Sequence, residues 1–446
     1  MIPRRHFLAG SGLAAASALL GARPAWADDR AALAEEAFLW GVPLVLTGRY
    51  LKIAADAGLA FNRFYLSPDL ATPQTRALGP QVDTLYGLGW IDLADGPQVI
   101  SVPDTHDRYY SIQLLDAYAD SFAYIGRRAT GTKAGAYALT PPGYRGRLPA
   151  GVTEIKAPTS KVLAAVRTLV RSKADLPAAR AIHGAYTLGP LSGYPKAQQP
   201  GVFRAESLNI LPVVDLSKAG IGYFEELNRL VADYPPLAYD APRLARFGSL
   251  GIGPGRQLSS DPAIIAALTA AIPAGLARIR MPKTNWTANG WSTRLDVTPF
   301  IQDPVARAAT NLYGPGTQIA EEALYLSAQK GPDGEPLSGA RRYSLRFPKG
   351  QLPPAGAFWS VGLYTKDIFL YDNEIDRYSI TDRTDGLHFA SDGSLTILIQ
   401  HDRPADPNAN WLPAPADHFL LTIRAYQPKP ALLARQYQLP PLSLVA

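Results

Sequence analysis

Downstream of residue 27 the sequence holds five histidines, His106, His183, His388, His401 and His418, and the whole chain has no cysteine. No H-x-H, H-E-x-x-H or H-x-x-E-H spacing occurs among them, so there is no local zinc motif. His401, followed by Asp402 at the end of an apolar strand pattern, is the imidazole best placed to act as a general base, provided a carboxylate orients it. The competing reading is a rim histidine bonded to a loop. Two groups of residues mix charge with aromatic rings. The first joins Asp83, Thr84 and Tyr86 to Asp104, Arg108, Tyr109 and Tyr110, with Gln113 and Asp116 farther along. The second joins Asn373, Arg377 and Tyr378 to Trp359, Tyr364, His401 and Trp411. Such mixtures suit a polar cleft, where rings stack and guanidinium forks fix orientation. They equally suit buried Arg–Asp pairs and tyrosine corners that lock strands together.

Three blocks of periodicity must position these residues. From about Thr84 to Val170 the pattern is that of strands: 97–103 is one, and 109–116 alternates apolar and polar residues at period two. Between about 171 and 321 the period lengthens. Tyr223, Phe224, Leu227, Leu230 and Val231 share a helical face, Asp261-Pro262 opens a second helix, and 303–313 forms a third. From 322 the strands return, at 342–348, 357–364, 395–400 and 419–426, with turns at Asp333-Gly334 and Asp392-Gly393. Ahead of all three, Asp28-Asp29 caps a helix carrying Leu33, Ala37, Trp40 and Leu44, which Pro43 should bend or end. The expected divisions are 1–27, 28–170, 171–321 and 322–446.

Arg4-Arg5 precedes a mildly apolar run to Leu20, and Ala25-Trp26-Ala27 offers small residues at a cleavage site. This is the layout of a twin-arginine export signal over residues 1–27, with a periplasmic or secreted product after cleavage near Ala27. Loss of that segment lowers the formal charge from +6 to +3. A surplus this small, without basic clusters, argues against nucleic acid as a partner. No later run is apolar enough for a stable membrane span. There is no Gly-x-Ser-x-Gly elbow, and the glycine-rich 248–255 lacks the Lys-Ser/Thr of a phosphate loop. No cofactor or metal is expected.

The ordered motifs Gln81–Tyr86, Trp90–Leu93, Ser101–Pro103, Arg108–Tyr110, Gln113–Asp116 and Ile125–Gly131 resemble the domain-of-unknown-function family numbered 1254. Phe347–Pro354, Ala357–Ser360, Asp372-Asn373, Arg377–Ser379, Asp392–Leu395 and Asn410–Pro415 resemble its companion numbered 1214. The resemblance implies an immunoglobulin-like β-sandwich, a helical domain and a C-terminal jelly-roll-like β-sandwich, and it implies no established activity. Val82 stands where that family often has asparagine, so a ligand contact made by the asparagine would be lost here. The expectation is a mainly β protein with a helical middle region. It would bind a small polar or glycan-like molecule between its β domains, with Asp83, Tyr86, Arg108 and Tyr109 on one wall and Arg377, Tyr378, His401 and Trp411 on the other. The alternatives are a hydrolase using His401 or Asp83 as base, and an envelope scaffold that binds a partner.

The export reading is tested by replacing Arg4 and Arg5 with lysine. The variant should accumulate as uncleaved precursor in the cytoplasm, while the parent chain reaches the periplasm at mature size. Periplasmic, mature-size protein from both would contradict it.

Overall fold

Alternation along the strands, with both of their faces buried, sets the architecture. In the computed structural model, which describes residues 25–75, 77, 79–196, 198–202, 204, 212, 214–280, 284 and 286–445, strand Phe419–Pro428 shows the pattern most clearly. Leu421, Ile423 and Ala425 enter one apolar core, while Thr422, Arg424 and Tyr426 point the opposite way and are buried too. Neither face meets solvent.

Four sheets follow from this. In the N-terminal sandwich a six-stranded sheet runs in the order 201–202, 65–66, 84–92, 161–169, 110–115, 123–126. It stacks on a four-stranded sheet ordered 152–156, 135–140, 98–102, 187–190. Ile91, Ile112 and Val166 from the first sheet meet Ile100, Leu139 and Leu188 from the second. In the C-terminal sandwich the six-stranded sheet runs 286–288, 291–293, 323–328, 419–428, 355–365, 379–381, and the four-stranded one runs 410–413, 395–400, 342–347, 442–445. Leu326, Val361 and Ile423 pack there on Leu345, Ile397 and Leu412.

Each six-stranded sheet therefore has a second, outer face. Part of the N-terminal one, at Leu88, Trp90, Leu115 and Leu163, is covered by helices Ala25–Asp56, Gly222–Asp233, Pro262–Arg280 and Pro304–Tyr313. The rest faces the outer face of the C-terminal sheet, where Tyr109 and Leu169 meet Ala323, Phe358 and Tyr426.

The chain is thus rich in β-sheet with several helices in its middle region, and the packing corrects three local expectations. The first helix runs Ala25–Asp56, starting ahead of the Asp28-Asp29 cap and passing through Pro43 without ending. Proline inside a helix costs about 3 kcal/mol. Here Phe38, Leu39, Trp40, Val42, Leu44 and Val45 are all fully buried, which outweighs that cost. This helix packs within the helical layer and, with it, on the outer face of the N-terminal sheet, where the Trp40 ring lies 5.7 Å from that of Tyr118. Residue 171 is likewise no structural boundary, because strands Thr187–Pro190 and Gly201–Val202 complete the N-terminal sheets. Nor is 322 one, since Trp286–Ala288 and Trp291–Thr293 open the C-terminal sheet. The export signal expected over 1–27 lies outside the described residues except at its last three positions.

Against the expectation that no later run is apolar enough for a membrane span, two helices, Asp29–Asp56 and Pro262–Arg280, are long and apolar enough by length and composition alone to cross one. In this fold they pack on each other so closely that a Cβ at Gly275 would lie 2.3 Å from the Phe38 ring.

A buried charge cluster ties the helices to the N-terminal sheet. Arg307 is 1% exposed and contacts Asp120 and Asp240, each at 3.2 Å. Next to it Asp116 accepts from the Tyr118 and Asp120 backbone N–H groups at 2.9 and 3.0 Å. Burial, then repulsion from Asp120, pushes the Asp116 carboxyl up to about 8. A group that binds its proton more tightly when folded gives stability that is complete below its unfolded value, near 4. That stability is lost as pH rises through about 8. Asp116→Asn keeps the accepting oxygen and cannot ionise. In thermal melts the parent should lose stability between pH 6 and 9 while the asparagine variant does not, and the variant should lead by at least about 2 °C at pH 9. Parallel curves would contradict the assignment.

Candidate functional site

The first cluster is largely turned to structure. Arg108 is held within the N-terminal domain, donating to Asp175 at 2.5 and 2.7 Å and to the Leu169 carbonyl at 2.7 Å. Asp83, 3% exposed, pairs across the domain boundary with Arg383 at 2.7 Å. Arg383 itself stands over Phe358, with its guanidinium carbon 4.5 Å from the ring centre. Tyr109 crosses the same boundary: its hydroxyl donates to Glu322 at 2.9 Å, and its ring meets Phe358 and Tyr426 edge-on. Burial, and then the Glu322 carboxylate, push that phenol well above its usual value, so it stays a donor.

The second cluster sits in the C-terminal sandwich. Arg377 donates to the Trp411 carbonyl at 2.9 Å, and Trp411 donates its indole N–H to the Gln400 carbonyl at 3.0 Å. Tyr378 donates to Asp376 at 3.0 Å and packs near Val82 and Ala71 of the opposite domain. His401 is exposed, with Nδ1 2.9 Å from the Ala414 carbonyl oxygen, and no carboxylate orients it among the described residues. That is the rim arrangement and not the geometry of a general base. The buried histidine is His183. Its ring lies between Thr168 Oγ1 (2.8 Å) and the Tyr86 carbonyl (3.1 Å), and burial pushes its pKa down to about 4, leaving a neutral core residue. The glycine-rich 248–255 segment is a connector. Asn228 donates to the Gly251 carbonyl and accepts from the Gly253 N–H, both at 2.9 Å. Among the described residues no three His, Asp or Glu side chains are grouped to hold a metal ion.

A cavity of about 1050 Å³ does lie between the two sandwiches, but its walls are other residues. Of the eight residues in the two expected walls, Tyr86 alone lines it. The outer face of the N-terminal sheet supplies Tyr86, Leu88, Leu163, Ala165 and Arg167. The C-terminal sheet supplies Tyr325, Ser327, Arg424 and Tyr426. The end of helix Pro262–Arg280 and the 313–317 turn close the sides.

The two sheets present matching pairs. Tyr86 and Arg167 are cross-strand partners, and so are Tyr325 and Arg424. Each guanidinium stands 5.9 Å from its tyrosine ring centre. Arg167 donates to Gln113 at 3.1 Å and to the Gly316 carbonyl at 2.8 Å, and Gly316 has the positive φ of 75° that glycine favours. Arg424 donates to the Gly79 carbonyl at 3.0 Å. It fits beside strand Ala355–Thr365 because position 362 is glycine, where a Cβ would stand 3.1 Å from Nη1. Burial works against the charge on Arg424, but the surrounding tyrosine oxygens hold its pKa above the usual range. Neither Arg167 nor Arg424 forms an ion pair with a carboxylate among the described residues. Sequence reading missed both, although each is a charged residue in the middle of an apolar strand.

Comparison with known proteins agrees with this layout. Residues 61–190 match the family described as Protein of unknown function (DUF1254), and residues 322–430 match Protein of unknown function (DUF1214). The chain therefore carries a DUF1254 segment followed by a DUF1214 segment. The crystal structure of the VPA0106 protein from Vibrio parahaemolyticus is similar, with 23% identity and a TM-score of 0.71 over 94% of this chain and 100% of that one. At that identity the likeness is one of fold. An uncharacterized protein from Burkholderia cenocepacia aligns over 94% of this chain and 96% of its own, with 12% identity and a TM-score of 0.44. No curated protein matches the chain.

The Asp83–Arg383 pair gives a test of structural against chemical roles. Asp83→Asn and Arg383→Met should each lower stability in urea, and the double variant should fall short of their sum by about 1–3 kcal/mol. An Asp83→Asn protein more stable than the parent would contradict the locking role and return Asp83 to chemistry.

Proposed function

We propose that this DUF1254–DUF1214 chain is an exported periplasmic binding protein that holds a small ligand with polar groups in the cavity between its two sandwiches. One observation carries the reading: a void of about 1050 Å³ walled by both sandwiches and the helical layer. That size is at the upper end of ordinary small-molecule sites. Tyrosine rings at 86 and 325 offer faces for stacking, and Thr75, Thr287, Ser292 and Ser327 offer hydroxyls. A sugar ring would use both. Leu88, Leu163 and Ala165 supply an apolar floor.

Export through the twin-arginine machinery, with cleavage near Ala27, belongs to the same reading and rests on Arg4-Arg5 and Ala25-Trp26-Ala27. The immunoglobulin-like and jelly-roll-like descriptions of the two sandwiches belong to it as well. The hydrolase alternative loses ground: His401 bonds the Ala414 carbonyl, Asp83 pairs with Arg383, and neither lines the cavity.

The test is a thermal-shift panel of sugars, amino acids and short- and long-chain carboxylates on the mature protein. At least one class should raise the melting temperature of the parent chain, by an amount that grows with ligand concentration. Ala165→Phe, which puts a ring into the void, should fold and lose that response. No response from any class, or an undiminished one in the Phe variant, would overturn the reading.

A further inference from the structure

We propose that the ligand of this cavity is an organic anion with an apolar body, its oxyanion held between Arg167 and Arg424. The inference rests on the binding reading above and specifies its chemistry.

The charge inventory of the walls points one way. Among the described residues five cationic side chains line the cavity, Arg167, Arg280, Arg294, Lys330 and Arg424, and no aspartate or glutamate does. Arg294 is answered by Asp296 at 3.0 Å. Arg280 and Lys330 stand exposed toward the rim. Arg167 and Arg424 are different: they are 9% and 5% exposed, and they donate to neutral oxygens of Gln113, Gly316 and Gly79. Elsewhere in the same fold, buried guanidinium groups have carboxylates. Arg108 has Asp175, and Arg307 has Asp120 and Asp240. Burial disfavours a charge, and dipolar oxygens answer it less fully than a carboxylate does, so two such charges on one void form a preset demand for negative charge.

The two cations come from facing sheets, border the same space and both act on the Tyr325 phenol, which is the placement a shared oxyanion needs. The remainder of the wall selects the body of the ligand. Leu88, Leu163, Ala165, Ile279 and Val297 offer aliphatic surface, and Tyr325 offers a ring face. A free inorganic anion would leave that surface wet, and a neutral amphiphile would leave both guanidinium groups unanswered.

The experiment is titration calorimetry of the mature protein with decanoate, decanol, decylammonium, acetate and inorganic phosphate, on the parent chain and on Arg167→Met, Arg424→Met and the corresponding Lys variants. Decanoate should bind at least about tenfold more tightly than any other probe. Each Met substitution should weaken decanoate by about tenfold or more, with Lys variants intermediate, because lysine keeps the charge and loses the fork. The ranking on the parent chain needs no variant to fold. Equal binding of decanoate, decanol and decylammonium, abolished by Ala165→Phe, would overturn the anion assignment and leave the binding reading intact. Tight binding of acetate or phosphate alone would overturn the apolar body. Absence of binding by every probe here and in the wider panel would overturn both readings.

Discussion

The structure depends on the outer faces of two six-stranded sheets being buried against each other. A strand offers side chains to two sides in alternation, and in strands Thr84–Asp92, Lys161–Leu169, Ala355–Thr365 and Phe419–Pro428 both sides are used. One side builds a sandwich core of Ile, Val and Leu. The other must face a second sheet of independent origin, whose residues cannot pair by strand register. Rings, guanidinium groups and buried acids fill that role, because they combine large contact area with directional bonds.

The seam is uneven. Around Tyr109, Phe358 and Tyr426 the sheets are in ring contact, with Phe358 and Tyr426 stacked 4.1 Å apart. Glu322 adds Tyr109 and Arg128 at 2.9 and 2.5 Å, and Arg383 reaches Asp83. A little farther along the same strands the sheets separate, and the void opens at Arg167 and Arg424. The closed part fixes the spacing of the open part. Ion pairs in the sealed region are matched acid to base, whereas Arg167 and Arg424 in the open region have only neutral oxygens, and that difference separates a lock from a site.

How much of this could be read from the residues follows from the same geometry. Strands such as 98–102, 110–115, 395–400 and 419–428 were legible because one face is uniformly apolar. Helices 222–233, 262–280 and 304–313 are legible from their buried stripe and, for the second, from the Asp-Pro opening at 261. Of the two effects expected of Pro43, bending or ending the helix, the second does not occur, because burial of its neighbours outweighs local propensity. The candidate walls misled for a related reason. Asp83, Arg108 and Arg377 look like ligand-binding groups in a line of sequence, yet each has a protein partner tens or hundreds of positions away: Arg383, Asp175 and Trp411. Arg167 and Arg424 carry only an ambiguous signal in the sequence. A charge inside V-L-A-A-V-R-T-L-V or F-L-L-T-I-R-A-Y reads as a solvent face until the second sheet is known to cover it.

The central claim is that the void between the sheets is an anion site and not a packing defect. The most direct measurement is a crystal structure of the mature protein grown with a brominated long-chain carboxylate, using the anomalous signal of bromine to place the chain. The account predicts a carboxylate in contact with Arg167 and Arg424 and the bromine among Leu88, Leu163 and Ala165. Bromine only at the outer surface, or both guanidinium groups turned onto protein carboxylates with the sheets closed together, would contradict it.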